Sequence, residues 1–243
     1  MKTERARLDK LLANLGYGSR KAVQKLVKIG AVSLEGKSLQ NPAQLLELRP
    51  ELRGLLKVSG EALDPLPGLV LMLHKPLGYS CSHREEGLLV YDLLPARWRE
   101  RDPKISTVGR LDKETSGLLL LTDDGDLLHR ITSPKKGIPK RYRAHLARPL
   151  QGSEAATLAA GTLLLESETT PLLPVKMEAH SPTEASVVLE EGRYHQVRRM
   201  FAALGNHVLA LHRESVGGLM LPEELNAGEY RLLTPAEIQA IFG

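Results

Sequence analysis

The sequence predicts an α+β protein in two parts: a small helical module, then a larger domain on a mixed, largely antiparallel sheet. Three observations carry that expectation. Between residues 8 and 29, apolar side chains recur at helical spacing. The stretch EALDPLPGLV gathers two prolines and a glycine, a signal for a break in regular structure. Beyond it, short apolar runs, turns and helical patterns follow one another without regular strand–helix alternation and without an internal period. The expected division is residues 1–63, a linker at 64–68, and residues 69–243.

In the first part, Leu8, Leu11, Leu12 and Leu15 form one apolar stripe, so a helix runs through them. Gly16 can stop it, and Ser19 can cap the next helix. The second helix is expected to bury Ala22, Val23, Leu26 and Ile29. Lys21, Lys25 and Lys28 recur at i, i+4 and i+7 on its outer side, where they repel one another unless an anion lies along them. Gly30 ends this helix. Val32 and Leu34 then alternate with polar residues, Glu35-Gly36 turns the chain, and Leu39 returns it as a small hairpin.

Charge follows the same division. Residues 1–40 hold nine Lys/Arg against three Asp/Glu, and the remainder holds 24 against 26, so the whole excess of +4 sits at one end. A basic module on a near-neutral body suits a polyanion partner. Aromatics make up only 4%, so the core must come from Leu, Val, Ile and Ala. No apolar run approaches the ~20 residues of a membrane helix, and no apolar signal core follows MKTERARLDK, so a membrane location is not expected. Cys81 is the single cysteine, which excludes an internal disulfide framework and a cysteine-based zinc cluster. The cytoplasm is the expected compartment.

In the second part, Leu69–Leu73 reads as a strand that ends in a Lys-Pro-x-Gly turn. The stretch VGRLDKETSGLLLLTDDGDLLHR then places Asp112 between Arg110 and Lys113, ahead of the run Leu118–Leu121, a strand buried on both faces. A carboxylate on a loop entering a buried strand is presented from a rigid frame, and the neighbouring bases favour its ionised form. Such a group can be a nucleophile or a base. It can equally be half of a structural ion pair, and this segment alone does not choose. Asp123, Asp124 and Asp126 read as turn and cap chemistry before a helix holding Leu127, Leu128 and Ile131. Tyr142 lies in KKGIPKRYR, which has five cations in nine residues, a setting that suits stacking on a base beside phosphates. Val197, Met200, Phe201 and Leu204 make a further amphipathic helix, ended by Gly205. At about 100° per residue Arg198 lies at the edge of its buried stripe, able to reach a carboxylate, and Arg199 faces outward. His195, His207 and His212 fit no standard zinc spacing, so no metal is expected.

GRLDKETSGLLLLTDDG resembles the long signature of the pseudouridine synthases that act on ribosomal RNA. KRYRAHL and EEGRYHQVRRMFAALGNHVLALHRESVGGL resemble that family's two further motifs, in the same order. RLDK…SR, with the hairpin that follows, resembles the alpha-L RNA-binding module named after a ribosomal protein. Three departures stand out: His74 precedes Lys75-Pro76 where Asn is usual, Arg141 replaces a frequent Thr, and Arg198 stands where Lys also occurs.

The resemblance implies a pseudouridine synthase fold with Asp112, Tyr142 and Arg198 as the catalytic set. Asp112 would attack the ribose or uracil ring or act as base in a glycal route, Arg198 would hold it ionised, and Tyr142 would stack on the uracil. Arg110, Lys75, Lys140, Arg193, His195 and Gln196 are implied substrate contacts. Arg7, Lys10, Ser19, Arg20, Lys21, Lys25 and Lys28 are implied RNA contacts, with Arg199 towards solvent or phosphate. GRYHQV and LHRESVGG lie nearest the small-subunit branch, so the expected partner is 16S ribosomal RNA or a pre-30S particle, met by a monomer. The isomerisation involves no redox change and no net hydrolysis, so no cofactor is expected. A large-subunit enzyme of the same family and a non-catalytic assembly factor are the alternatives.

Overall fold

The structure, a computed structural model, describes residues 4–243; residues 1–3, where the N-terminal module begins, lie outside the described residues. The chain forms two units. The first comprises Met1–Leu69 with Leu94–Ser106 and Thr122–Asp124, two segments that follow the linker in sequence. The second comprises Val70–Leu93, Thr107–Leu121 and Gly125–Gly243.

In the first unit, strand β1 (Arg5–Arg7) leads into α1 (Leu8–Asn14) and α2 (Arg20–Lys28). The stripe Leu8, Leu11, Leu12 and Leu15 is buried as expected, and Ser19 caps α2 by accepting the Ala22 N–H. The buried face of α2 differs from the expectation. Val23 and Val27, one turn apart, go inside, Leu26 is half-buried, and Ala22 and Ile29 are exposed. Ile29 falls at the C-cap, beyond the last helical turn, and so loses the helix's register with the core. β2 (Val32–Leu34) and β3 (Lys37–Ser38) form the hairpin, turned by Glu35 and Gly36, both at positive φ. β4 (Leu45–Glu47) pairs with β1. The short helix α3 (Leu52–Leu55) then precedes β5 (Leu56–Val58) and β6 (Glu61–Ala62), which join the hairpin in a four-stranded sheet.

Buried acids in this unit are paired with arginines. Asp9, fully buried, accepts from Arg7, Arg20 and Gln24, and Arg7 foremost holds its carboxyl down at about 2. Asp64 takes both ends of the Arg97 fork at 2.6 and 2.9 Å. Arg101 meets Asp123 at 2.9 Å and the Pro65 carbonyl at 2.9 Å. Asp123 also accepts the Gly68 N–H. Asp123 is therefore half of a buried ion pair, not the turn residue its neighbours suggested.

The second unit is built on a nine-stranded sheet. Its strands are β7 (Val70–Lys75), β8 (Ser106–Thr107), β9 (Thr115–Thr122), β10 (Lys140–Leu146), β11 (Lys176–Ser181), β12 (Glu184–Leu189), β13 (Val208–Val216), β14 (Leu219–Met220) and β15 (Tyr230–Leu232). The order is β11-β12-β10-β13-β9-β7-β15, with β14 on β13 and β8 on β9. β9 and β13 run parallel, while β10, β12, β11 and β14 pair antiparallel, so the fold is the expected α+β with a mixed, mostly antiparallel sheet. Helices α4 (Gly125–Thr132), α5 (Glu154–Ala159), α6 (Gln196–Ala203) and α7 (Pro235–Ala240) complete it.

The four leucines of β9 are fully buried, as a strand covered on both faces requires. Val197, Met200 and Phe201 of α6 pack with Ala144, Val187 and Leu211 of the sheet, and Tyr142 lies against the same cluster. Among the described residues, no helix is long and apolar enough to cross a membrane.

Candidate active site

Asp112 stands on the loop between β8 and β9, and the backbone around it is pinned at almost every residue. Leu111 is buried and donates its N–H to Cys81 Sγ at 3.5 Å. The Asp112 carbonyl accepts from Thr115 N. The Lys113 carbonyl accepts from Gly78 N at 2.8 Å. Lys75 Nζ spans the Pro76, Lys113 and Thr115 carbonyls at 3.0, 3.4 and 2.8 Å. The Glu114 carbonyl accepts from Arg198 Nη2 at 2.9 Å. A loop held this way presents the Asp112 carboxylate without backbone freedom, as an active-site acid requires. The Asp112 side chain keeps 30% of its surface exposed.

Two expected roles change. Arg198 does not pair with Asp112; its guanidinium bridges the Glu114 and Val208 carbonyls, fastening the acid's loop to the start of β13. A guanidinium at the edge of α6 meets backbone before it reaches the side chain beyond. Lys75 is fully buried and its three donors are taken by carbonyls, so it frames the loop and leaves no donor for phosphate. Burial pushes its ammonium down.

The side chain that meets the Asp112 carboxylate is His195, with Nε2 3.4 Å from Oδ1. His195 sits at the N-cap of α6 at φ +48°, a left-handed conformation unusual without glycine. Its ring stacks on Tyr194 at 3.9 Å between centroids, and Tyr194 is 76% exposed. The loop beneath is braced from inside. Arg193 binds Glu191, Glu168 and the Thr170 and Pro171 carbonyls. Gln196 is buried between Arg193 N and Glu191. Arg199 binds Glu168 and the Tyr194 carbonyl, rather than facing outward. Arg193 and Gln196 therefore hold the loop, and His195 alone of that trio faces the acid.

Tyr142, half-buried on β10, lies on the same face as α6. Its hydroxyl accepts from Arg213 Nη1 at 3.4 Å. The basic strip around it does not surround it in space. Strand alternation sends Arg141 and Arg143 to the opposite face, where Glu214, Glu178 and Glu184 neutralise them. Lys140 stays near; its ammonium donates to the Ile138 carbonyl and is pushed down by burial and then by Arg213. Arg110 is exposed and pairs with Glu85 at 3.6 Å.

A cleft of about 380 Å³ opens between Lys113, Glu114 and Ser116 and the Leu209–His212 stretch of β13. Neither Asp112 nor Tyr142 lines it. Of the expected RNA contacts, Lys10, Lys21, Lys25 and Lys28 are exposed, while Arg7 and Arg20 are tied to Asp9 and Ser19 serves as the cap. Arg213 and Tyr194 were missed from sequence. Arg213 had a signal: it falls in phase with buried Leu211 in β13, a charge at an inward position.

Comparison with known proteins places the chain in a family. The RNA pseudouridylate synthase family matches residues 69–203, and the S4 domain matches residues 6–49. The ribosomal small subunit pseudouridine synthase A of Pasteurella multocida is 41% identical over 96% of this chain and 97% of its own. An uncharacterised RNA pseudouridine synthase of Bacillus subtilis is 39% identical over 97% of this chain and 98% of its own. The small subunit synthase A of Escherichia coli K12 is 39% identical over 97% and 99%. A crystal structure of a pseudouridylate synthase superposes with a TM-score of 0.68 at 38% identity, over 97% of this chain and 99% of that one. With the family model matched over residues 69–203 and relatives about 40% identical along nearly their whole length, this protein belongs to the RNA pseudouridylate synthase family and is an RNA pseudouridine synthase.

Proposed function

We propose that this enzyme isomerises a uridine of ribosomal RNA, that its target is uridine 516 of the 16S molecule, and that it acts during small-subunit maturation in the cytoplasm. The observation that carries the target is the near-complete match to relatives named for the small subunit. The exposed lysines of α2 support a partner held by its phosphates, as does the S4 match. The substrate is the RNA itself or a pre-30S particle, met by a monomer.

In this reading Asp112 begins the break of the carbon–nitrogen bond. Lys75, Gly78 and Arg198 keep its loop in place. His195 pairs with the carboxylate until the nucleotide arrives. Tyr142 lies against the uracil. A uridine in folded RNA has to leave its stack to reach them, which the basic module assists by holding the flanking strand. Chain and RNA supply all the atoms that move, so the step calls for no cofactor.

The test is to incubate the enzyme with 16S and 23S transcripts, with and without ribosomal proteins, and to map new pseudouridine. Conversion at uridine 516 alone is expected. Conversion only in the 23S transcript would overturn the target, and no conversion of any transcript would leave the assembly-factor reading.

A further inference from the structure

Arg213 carries more than the proposed roles use. It lies in mid β13 and is 3% exposed. Nε donates to the Leu118 carbonyl at 2.7 Å and Nη1 to Tyr142 Oη at 3.4 Å. The guanidinium carbon lies 5.9 Å from the Tyr142 ring centre. Nη2 is buried without a hydrogen-bond partner among the described residues. Arg213 forms no ion pair with any described residue, and Lys75 and Lys140 both feel its charge. A buried cation left without a counter-charge is costly, and natural proteins keep one where something uses it.

The position is built in. The sheet register sets Arg213 directly opposite Tyr142 on β10 and beside Gly117 on β9. Gly117 is at φ +111°, and a Cβ there would lie 2.3 Å from the Arg213 carbonyl oxygen, so only glycine lets the two strands close on each other.

Breaking the bond between the ribose C1′ and uracil N1 leaves the bonding pair on the base. The negative charge spreads over N1 and the two ring carbonyl oxygens. C5 then bonds to C1′, the proton on C5 is lost and one is taken up at N1, so atoms and charge balance without a co-reactant. We propose that Arg213 is a positioning residue for this step, holding Tyr142 by its hydroxyl and keeping an uncompensated positive charge behind the ring against which the detached uracil rests. Because Arg213 donates to Tyr142 Oη, the phenol hydrogen points away from it and is free to meet a uracil carbonyl. The charge acts across a water-poor wall, where a fixed cation stabilises a developing anion far better than water does. The inference rests on the reading of Tyr142 as the uracil-facing side chain.

The test measures single-turnover conversion of unmodified 16S and 23S transcripts, with affinity for the same RNA measured separately. Arg213→Gln is expected to slow conversion about 100-fold, the loss typical of one removed anion-stabilising donor. RNA affinity should stay within about threefold, and Arg213→Lys should regain about tenfold by restoring charge without the fork. Tyr142→Phe combined with Arg213→Lys should be no slower than the slower single variant, since the two act as one unit. If Arg213→Gln does not fold, the cycle of Arg213→Lys with Tyr142→Phe decides. Additive losses in that cycle, or a fall in RNA affinity that matches the fall in rate, overturn the proposal. A fully active Arg213→Gln beside an impaired Tyr142→Phe overturns it alone, whereas a fully active Tyr142→Phe overturns the reading of Tyr142 on which it rests.

Discussion

The two units treat buried charge in opposite ways. In the first, Asp9, Asp64 and Asp123 are buried and each is matched by an arginine. In the second, Lys75 and Arg213 are buried and, among the described residues, neither has a carboxylate within ion-pair distance. The difference is not in how completely the hydrogen bonds are satisfied, because Arg101, inside its ion pair, leaves Nε and Nη1 unpartnered while Lys75 places all three donors. What differs is net charge. A paired ion fixes geometry at little electrostatic gain. An unpaired one keeps a field that a substrate anion can use. The buried acids of the first unit are closed by their arginines, while the charges of Lys75 and Arg213 in the second are left open.

The largest way to break that contrast is to remove the charge of Asp112, the part-exposed acid of the β8–β9 loop. Asp112→Asn keeps the size and the pinned backbone but loses the charge. Conversion is expected to fall by about 10⁴-fold or more, the scale seen when a central catalytic group is lost. RNA binding and thermal stability should stay near wild type, because the loop is held by its carbonyls and not by this carboxylate. Mapping of pseudouridine and a melting curve check both halves. Substantial conversion by this variant would remove Asp112 from the mechanism.

The next effect belongs to the closed unit. Asp123→Asn leaves Arg101 buried without its counter-charge, and about 3–5 kcal/mol of stability should be lost. Replacing both partners, as Arg101→Met with Asp123→Leu, should recover most of it, because no lone charge stays inside. Chemical denaturation of the two variants measures this directly. Equal losses in both would mean that the pair stabilises the unit through its charge and does not merely neutralise itself.

Much of this was legible in the sequence, and the gaps have a physical pattern. Periodicity placed α1, α2, α4 and α6, because burial of one face leaves its mark every few residues, and an unbroken apolar run placed β9. The Asp112 loop was found by a long local motif. Arg198 was found too, but its partners were not, since a backbone carbonyl has no letter of its own. The Arg101–Asp123 pair joins residues 22 apart across separate segments, and no local spacing announces it. The strip KKGIPKRYR misled because charges adjacent in sequence alternate across a strand, so Arg141 and Arg143 turn away from Tyr142.

A smaller effect sharpens the closed side by pH. Asp9 is held at about 2 in the folded chain against 3.8 for an unperturbed carboxyl, so the folded state binds its proton less readily than the unfolded one. Its contribution, about 2 kcal/mol, is complete above about pH 5 and is lost as pH falls through about 2. Melting curves of wild type and Asp9→Asn across that window should converge as the acid is protonated. A gap that does not change with pH would mean that Asp9 acts through packing alone.

The smallest effect concerns a third kind of cation, exposed and unpaired. Lys25 sits on the outer face of α2 with Lys21 and Lys28 one turn to either side. Water already stabilises its charge, so the lack of a carboxylate costs almost nothing there, unlike at Arg213. Lys25→Gln should change stability by no more than about 0.5 kcal/mol and leave the single-turnover rate at saturating enzyme unchanged. If Lys25 meets one phosphate, the slope of log affinity against log salt should fall by about 1. Arg213→Gln should leave that slope unchanged while the rate collapses. The pair of measurements separates a cation that holds RNA from one that serves the reaction, and an equal salt slope in wild type and Lys25→Gln would take α2 out of the phosphate-binding face.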